Sequence, residues 1–292
     1  MPGPDSSRRK AVIVISSHVV RGTVGNRAIV FALERLGHSV WAVPTIVLSW
    51  HPGHGPATRI VPDAGKFAAM MDDLASAPWL GEVGAVITGY LGHADQAAAA
   101  AGLIDAVRAR NREALYLCDP VIGDAGGLYV PVATAEAIRD RLVPLADIAT
   151  PNQFELQWLT GVETASRDGM LAAAGALPPT MVVATSAPGT SPDRIGNLLV
   201  TDDRATLFEH DRHARPPHGA GDLTSALVTA GMLEGRPAGE AVERATRSVY
   251  SVLRTAFERG ADELSLAADA ALLETPDAPV DVKTIEPQGS AV

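Results

Sequence analysis

Cysteine is almost absent from this sequence. Its one cysteine, Cys118, rules out an internal disulfide, and within the apolar run ALYLC (114 to 118) it reads as a small packing residue. Aromatic side chains make up only 4% of the 292 residues while 47% are hydrophobic, so the core must be aliphatic and rich in alanine. Such residues suit helices packed closely on a sheet. Basic charge is also scarce: a formal net charge of -10 argues against a nucleic-acid surface, which needs a positive face. A nucleotide can still bind an acidic protein where backbone N–H groups line the site. No apolar run is long enough for a membrane span, because Asp105 and Arg108 interrupt the alanine-rich stretch near 97 to 107. The segment Ser6-Ser7-Arg8-Arg9-Lys10 leads into AVIVIS, too short for the core of a secretion signal, and a cytoplasmic protein is expected. A G-x-x-x-x-G-K-[ST] loop is missing too, and the first glycines after the first strand, Gly22 and Gly25, do not make a dinucleotide fingerprint.

What is present is an alternation of buried strands and amphipathic helices. AVIVIS (11 to 16) is a β-branched run typical of a strand covered on both faces. A helix follows in which Ile29, Val30, Leu33 and Leu36 share a face, then Gly37 and the strand SVWAV (39 to 43). The pattern continues with helices over about 63 to 77 and 94 to 110 and strands at 83 to 88 and 114 to 118. Next come a helix around 134 to 143, a short strand near 147 to 149, a helical stretch over 163 to 177 and the strand MVVAT (181 to 185). An antiparallel edge pair is expected at 195 to 201 and 205 to 209, closed by Thr201-Asp202-Asp203-Arg204, before long helices at 222 to 234 and 238 to 259. Repeated βαβ units require a mostly parallel sheet. The fold class is therefore α/β, a three-layer αβα sandwich in one domain over 1 to 292, with a loose tail after Pro276.

Ligands of open parallel sheets sit beyond the carboxyl ends of the strands. That rule singles out Ser17, Thr45, Tyr90, Asp119, Asn152, Thr185, Ser186 and the turn from Gly219 to Asp222. The strongest segment is PPHGAGDLTSALVTAG (216 to 231), in which Gly219-Ala220-Gly221 opens an apolar helix. Such a turn can aim successive N–H groups, aided by the helix dipole, at a phosphoryl group in transfer. Asp222 either caps this helix or accepts the proton of an attacking hydroxyl. Asp119 and Glu155 belong at the same sheet edge, and two acids facing a nucleotide imply Mg²⁺ between them, held through waters. Asn152 and Glu155 also have the spacing of a helix capping box, a role compatible with the first. Thr185 and Ser186 are placed to touch phosphates or to stabilise their own turn.

Six segments together resemble the pyridoxal kinase family, within the ribokinase-like superfamily. They are S-H-V-V-R-G-T-V-G-N-R (17 to 27), T-G-Y-L-G (88 to 92), C-D-P-V-I-G-D (118 to 124), P-N-Q-F-E-L (151 to 156), A-T-S (184 to 186) and G-A-G-D (219 to 222). The resemblance implies ATP-dependent phosphorylation of the 5′-hydroxymethyl group of pyridoxal, and possible use of pyridoxine or pyridoxamine, by a homodimer. It implies Mg²⁺ and a potassium-like monovalent ion. Asp222 becomes the base and the turn before it, Gly219, Ala220 and Gly221, an anion hole, with His218, Gly219 and Gly221 beside the nucleotide. Ser17 and Tyr90 would meet the ring of the substrate, and Thr45 belongs to the same end. Asp119, Thr150, Asn152, Glu155, Thr185 and Ser186 would line ATP, with Asp119 and Glu155 near its metal.

The departures fall on the substrate half. Family members commonly carry S-N-H-T where this chain has Ser49-Trp50-His51-Pro52-Gly53, so Trp50, Pro52 and Gly53 replace polar contacts with a ring, an imide and a glycine. Ser16 and Val47 stand where glutamines are common, and no cysteine follows Asp119. A hydroxymethylpyrimidine kinase shares the fold and the base and is the nearest alternative. A non-catalytic B6-binding protein is the alternative of a different kind, disfavoured because Asp222, Asp119 and Glu155 are all kept. The charged loop with Arg212, His213 and Arg215 is placed either to close over ATP or simply to be solvated.

Overall fold

The structure is a computed structural model that describes residues 10–285; the Ser6 to Arg9 stretch and residues 286–292 lie outside it. Strand β1 (Ala11–Arg21) begins the sheet, α1 (Asn26–Arg35) crosses over it, and β2 (Val40–Trp50) pairs parallel to β1. The two-residue β3 (Arg59–Ile60) pairs antiparallel with β2. The chain then returns through α2 (Ala64–Ala75) to β4 (Val83–Thr88), on the other side of β1. Helix α3 (Asp95–Arg110) leads to β5 (Leu115–Cys118), and β6 (Gly123–Asp124) and β7 (Gly127–Leu128) form a small hairpin. Helix α4 (Val132–Ala137) runs through a π-helical turn towards β8 (Ile148–Ala149), followed by α5 (Gln153–Thr160), α6 (Arg167–Gly175) and β9 (Met181–Pro188). Strands β10 (Arg194–Thr201) and β11 (Ala205–Asp211) precede α7 (Ala220–Leu233), α8 (Ala238–Glu258), α9 (Ala271–Glu274) and β12 (Asp281–Ile285).

Among the described residues ten strands form one sheet in the order β12-β11-β10-β9-β8-β5-β4-β1-β2-β3. The block from β9 to β2 is parallel throughout; the additions at the two ends are antiparallel. Period-two alternation divides the core. Val12, Val14, Ala85 and Ile87 face α1, α7 and α8, whereas Ile13, Ile15, Val86 and Tyr116 face α2, α3 and α4. Helices α5 and α6 cover Val182, Ala184 and Leu198 on that second side. The α/β sandwich with a mostly parallel sheet is thus present as expected, with α1 and α2 on opposite faces. The chain reverses direction across the sheet between β1 and β4, which opens a crevice at their carboxyl ends.

Three expectations need correction. As far as Ile285 the segment after Pro276 is not loose: β12 pairs with β11 over Asp281 to Ile285, and Ala278 and Val280 are buried, while the rest of the expected tail lies outside the described residues. Consequently β10 and β11 are not the edge of the sheet. The helix expected over 163 to 177 is shorter, α6 over Arg167–Gly175, and a separate helix not counted there, α5, precedes it and ends at Gly161 in a left-handed conformation with φ of 72°.

Candidate active site

A cavity of about 970 Å³ opens over the carboxyl ends of the parallel strands. That is the size range of small-molecule sites. Ser17 enters it from β1, Tyr90 from the loop after β4, Asp119 after β5, Thr150 and Asn152 after β8, and Thr185 and Ser186 from β9. Its far wall is the N-terminus of α7, with His218, Gly219, Gly221 and Asp222. The segments Pro52–Gly53 and Gly123–Tyr129 rise beside it, contributing Pro52, Gly53, Asp124 and Tyr129.

The α7 terminus is built to leave its donors free for a ligand. Gly219 is the N-cap residue, in the left-handed region with φ of 106°, and no side chain caps the helix. Asp222, three residues further, does not turn back onto its own helix. Its Oδ2 instead accepts a hydrogen bond from the backbone N–H of Gly25 at 2.8 Å. Gly25 is itself in the left-handed region, φ 58°, where a side chain would collide with the carbonyl and hydroxyl oxygens of Ser17. The carboxylate is therefore held at the meeting of the β1–α1 turn and the α7 turn, and the capping alternative for Asp222 falls.

Two further acids lie close by. Burial, and then the negative charge of Asp222, push the Asp119 carboxyl up to about 7, partly offset by hydroxyl donation from Ser225 at 2.7 Å and from Thr150. Burial pushes Asp222 up to about 6 against the Gly25 N–H. Glu155 is raised well above the usual carboxylate range by burial and by Asp119. Glu155 is already committed to the backbone: Oε1 accepts from Ile122 N at 3.0 Å and Oε2 from Asn152 N at 2.8 Å. With Asn152 accepting from Glu155 N at 2.9 Å, this is a complete capping box at the start of α5. The capping role and a place on the cavity wall coexist, as the spacing allowed.

A divalent cation suits this donor set in one form only. Among the described residues no three His, Cys, Asp or Glu side chains gather to hold a metal. Negative charge does accumulate here, Asp222 raising Asp119 and Asp119 raising Glu155, and Mg²⁺ is commonly held by one or two carboxylates together with phosphates and waters.

Two residues assigned to the substrate end lie outside the cavity. Thr45 is fully buried and its hydroxyl donates to the Tyr90 carbonyl at 2.6 Å, so it supports the Tyr90 loop from behind. Trp50 turns outward at the end of β2, its indole N–H directed at Gly55 O at 3.3 Å. Ala220 does not line the cavity either; its part is confined to the backbone of the turn. Arg212, His213 and Arg215 are likewise absent from the wall, and the His213 ring packs on Phe257 at 4.3 Å. Sequence reasoning passed over Arg59, whose guanidinium donates to the Tyr90 hydroxyl at 3.3 Å, and Tyr129, which follows the β6–β7 hairpin. The signal for Tyr129 was the Gly126-Gly127 turn, a short-range hairpin mark. Arg59 left none.

Comparison with known proteins agrees with this geometry. Pyridoxal kinase PdxY of Rubrobacter xylanophilus is 38% identical over 281 residues, covering 94% of this chain and 97% of that protein. The chain belongs to the pyridoxal kinase family. A family model described as phosphomethylpyrimidine kinase matches residues 70–266. Pyridoxal kinase PdxY of Corynebacterium diphtheriae is 34% identical across 94% of this chain and 99% of its own. Among solved structures, pyridoxal kinase from Leishmania donovani in complex with ADP and pyridoxamine superposes with a TM-score of 0.89 at 29% identity. It covers 95% of this chain and 100% of that one. Membership makes this chain an ATP-dependent small-molecule kinase with a ribokinase-like fold.

Proposed function

We propose that the chain transfers the γ-phosphoryl group of ATP to the 5′-hydroxymethyl oxygen of pyridoxal, giving pyridoxal 5′-phosphate and ADP. The observation that carries this reading is Asp222, held by Gly25 N–H beside an uncapped helix N-terminus and raised to about 6. A base with that pKa is ionised at neutral pH yet basic enough to take a proton as it leaves a hydroxyl. The hydroxymethyl proton passes to Asp222 as its oxygen bonds to the γ-phosphorus, and the bond from phosphorus to the bridging oxygen of ADP breaks. The N–H groups of the Gly219–Ala220–Gly221 turn stabilise the charge on the transferring group. We assign Ser17, Tyr90, Pro52 and Gly53 to the substrate ring, and Thr150, Asn152, Thr185, Ser186 and His218 to the nucleotide, from their places on the cavity wall. Mg²⁺, when bound near Asp119 and through water near Glu155, neutralises phosphate charge. A potassium-like ion is implied by the family resemblance alone, and exchanging K⁺ for a large organic cation in the assay checks it.

We read the chain as a single cytoplasmic domain. No helix among the described residues is long and apolar enough to cross a membrane, and Cys118 is a buried free thiol. A homodimer is supported by exposed apolar side chains around the β1–β2–β3 end of the sheet, Val20 at 66% and Ile60 at 62% exposure.

The deciding experiment measures ATP consumption with Mg²⁺ against pyridoxal, pyridoxine, pyridoxamine and hydroxymethylpyrimidine, with Asp222→Asn in parallel. Turnover of pyridoxal that falls at least about 1,000-fold in the variant supports the reading. Turnover of hydroxymethylpyrimidine alone keeps the base and replaces the substrate, an outcome the matching family description makes worth testing.

A further inference from the structure

Glu263 lies on the segment that follows α8 and does not line the cavity, yet three of the cavity's walls meet on it. It is a buried carboxylate, 8% exposed. One oxygen, Oε2, accepts from the backbone N–H of Thr23 and more distantly from the Thr23 hydroxyl at 3.3 Å. The other, Oε1, lies 2.7 Å from Nε2 of His54, whose Nδ1 is 3.2 Å from Oδ2 of Asp262. The backbone on either side is bonded to the anion-hole turn: His218 N donates to Asp262 O at 2.9 Å and Leu264 N to His218 O at 3.2 Å. The Thr23 hydroxyl adds a bond to Leu264 O at 2.7 Å.

Glycines record how closely these pieces fit. A side chain on Gly22 would come within 2.5 Å of the Glu263 carboxylate, and one on Gly219 within 2.5 Å of Thr23 O. The turn from Gly22 to Gly25 carries the N–H that holds Asp222. The loop from His51 to Gly55 supplies Pro52 and Gly53 to the substrate end, and its His51 ring lies against that of His218, 4.3 Å between centroids and tilted by 37°. The carboxylate thereby ties the segment that orients the base to the loop that borders the substrate, while the backbone on either side of it holds the segment that carries the anion hole.

We propose that Glu263 is a positioning residue, a latch that closes the His51–Gly55 loop through His54 and fixes the Gly22–Gly25 turn through Thr23. This rests on the kinase reading of the site. The latch has two arms with separate consequences. The His54 arm governs how well the ring-bearing substrate is held. The Thr23 arm governs how accurately Gly25 aims Asp222, and so the rate of phosphoryl transfer. On the nucleotide side the Glu263 carboxylate itself makes no bond among the described residues: Asp119 and Thr150 are bonded to Ser225, Asn152 belongs to the capping box, and His218 is held through the backbone of Asp262 and Leu264.

The test uses the full chain and two readouts, steady-state kinetics with ATP and pyridoxal, and amide hydrogen exchange over 22–25, 51–55 and 218–221. Glu263→Gln keeps the shape and removes the charge. It is expected to raise KM for pyridoxal at least 5-fold and lower kcat at least 10-fold, with KM for ATP within 2-fold of the parent. Exchange should quicken over 22–25 and 51–55 together, with 218–221 still held by its bonds to the backbone of Asp262 and Leu264. His54→Ala should reproduce the KM change and the exchange at 51–55 while leaving 22–25 protected. On the His54→Ala background, Glu263→Gln should lower kcat with no further change in KM. Equal effects on both substrates, or faster exchange confined to 262–264, would overturn the latch and leave Glu263 a local structural group. Should Glu263→Gln fail to fold, the split between pyridoxal and ATP in His54→Ala decides the loop arm. A parent protein silent on pyridoxal would sink the kinase reading instead, and the exchange pattern would still judge the latch.

Discussion

At the scale of single residues the site is a balance between three carboxylates that resist ionisation and the chemistry that needs one ionised. As the proposed base, Asp222 could act only when deprotonated. With its carboxyl raised to about 6, kcat/KM for pyridoxal should fall about tenfold per pH unit below that value and level off above it. A profile still flat at pH 5 would remove Asp222 from the role of base. Stability runs the other way. Asp119 and Asp222 have folded pKa values above the unfolded 3.8, so the folded state binds protons more tightly than the unfolded chain. Their contribution is fully present below pH 3.8 and is lost as pH rises through about 6 to 7. Across that window the ligand-free protein should lose denaturation midpoint, and Mg²⁺ with a nucleotide should restore part of it by binding the native state alone. Urea titrations at pH 5.5 and 8, with and without Mg²⁺ and a non-hydrolysable ATP analogue, measure both effects.

At the scale of elements the α7 terminus is the most demanding piece. Gly219 combines a left-handed backbone with an approach of 2.5 Å between its missing side chain and Thr23 O. Gly219→Ala should cost about 2 kcal/mol or more in stability and lower kcat at least tenfold, readable from urea unfolding and steady-state rates. A full-rate Gly219→Ala enzyme would mean that the turn does not serve as the anion hole. This element was legible from G-A-G-D before an apolar helix, because local turn chemistry and the helix dipole act within a few residues. The βαβ core was legible for the same reason: strands such as β4 declare themselves in a run like VGAVIT, buried at every position. What stayed hidden depended on distant contacts. β12 is five residues of mixed character, DVKTI, with four of them exposed, and only pairing with β11 makes it a strand. Glu263 lies 240 residues from Thr23 and carries no motif. Thr45 read as a ligand residue because it follows a strand, and nothing local revealed that its hydroxyl was spent on Tyr90. Ending the chain at residue 275 should remove β12 and the buried Ala278 and Val280, and bare the β11 edge. A loss of about 2–4 kcal/mol is expected, with aggregation on heating, and an unchanged urea midpoint would show that β12 adds nothing.

At the scale of the whole molecule the sheet is asymmetric in how it treats its ends. The β12 end is short, carries Asp281 and Lys283, and is tied down by Arg194, which bonds to both Asp211 and Asp281. Such an edge discourages further pairing. The opposite end is eleven-residue β1 and β2, closed only by the two residues of β3. Val20, Trp50, Ile60 and Val61 project there with side chains 37% exposed or more. Leu48 and Arg59 of the same strands line the cavity, so a partner covering this end would also stiffen the substrate side of the site. We expect sedimentation equilibrium to give twice the 30.4 kDa chain mass. Val20→Asp combined with Ile60→Asp should halve it, since burying two new carboxylates in an apolar seam is costly. If the seam supports the site, the monomeric variant should bind pyridoxal more weakly while its KM for ATP holds, because the residues assigned to the nucleotide, His218 apart, stand on β9 or just after β5 and β8, across the sheet. A variant that stays dimeric would place the seam elsewhere, and a monomeric parent would leave this apolar end without a copy of the chain to cover it.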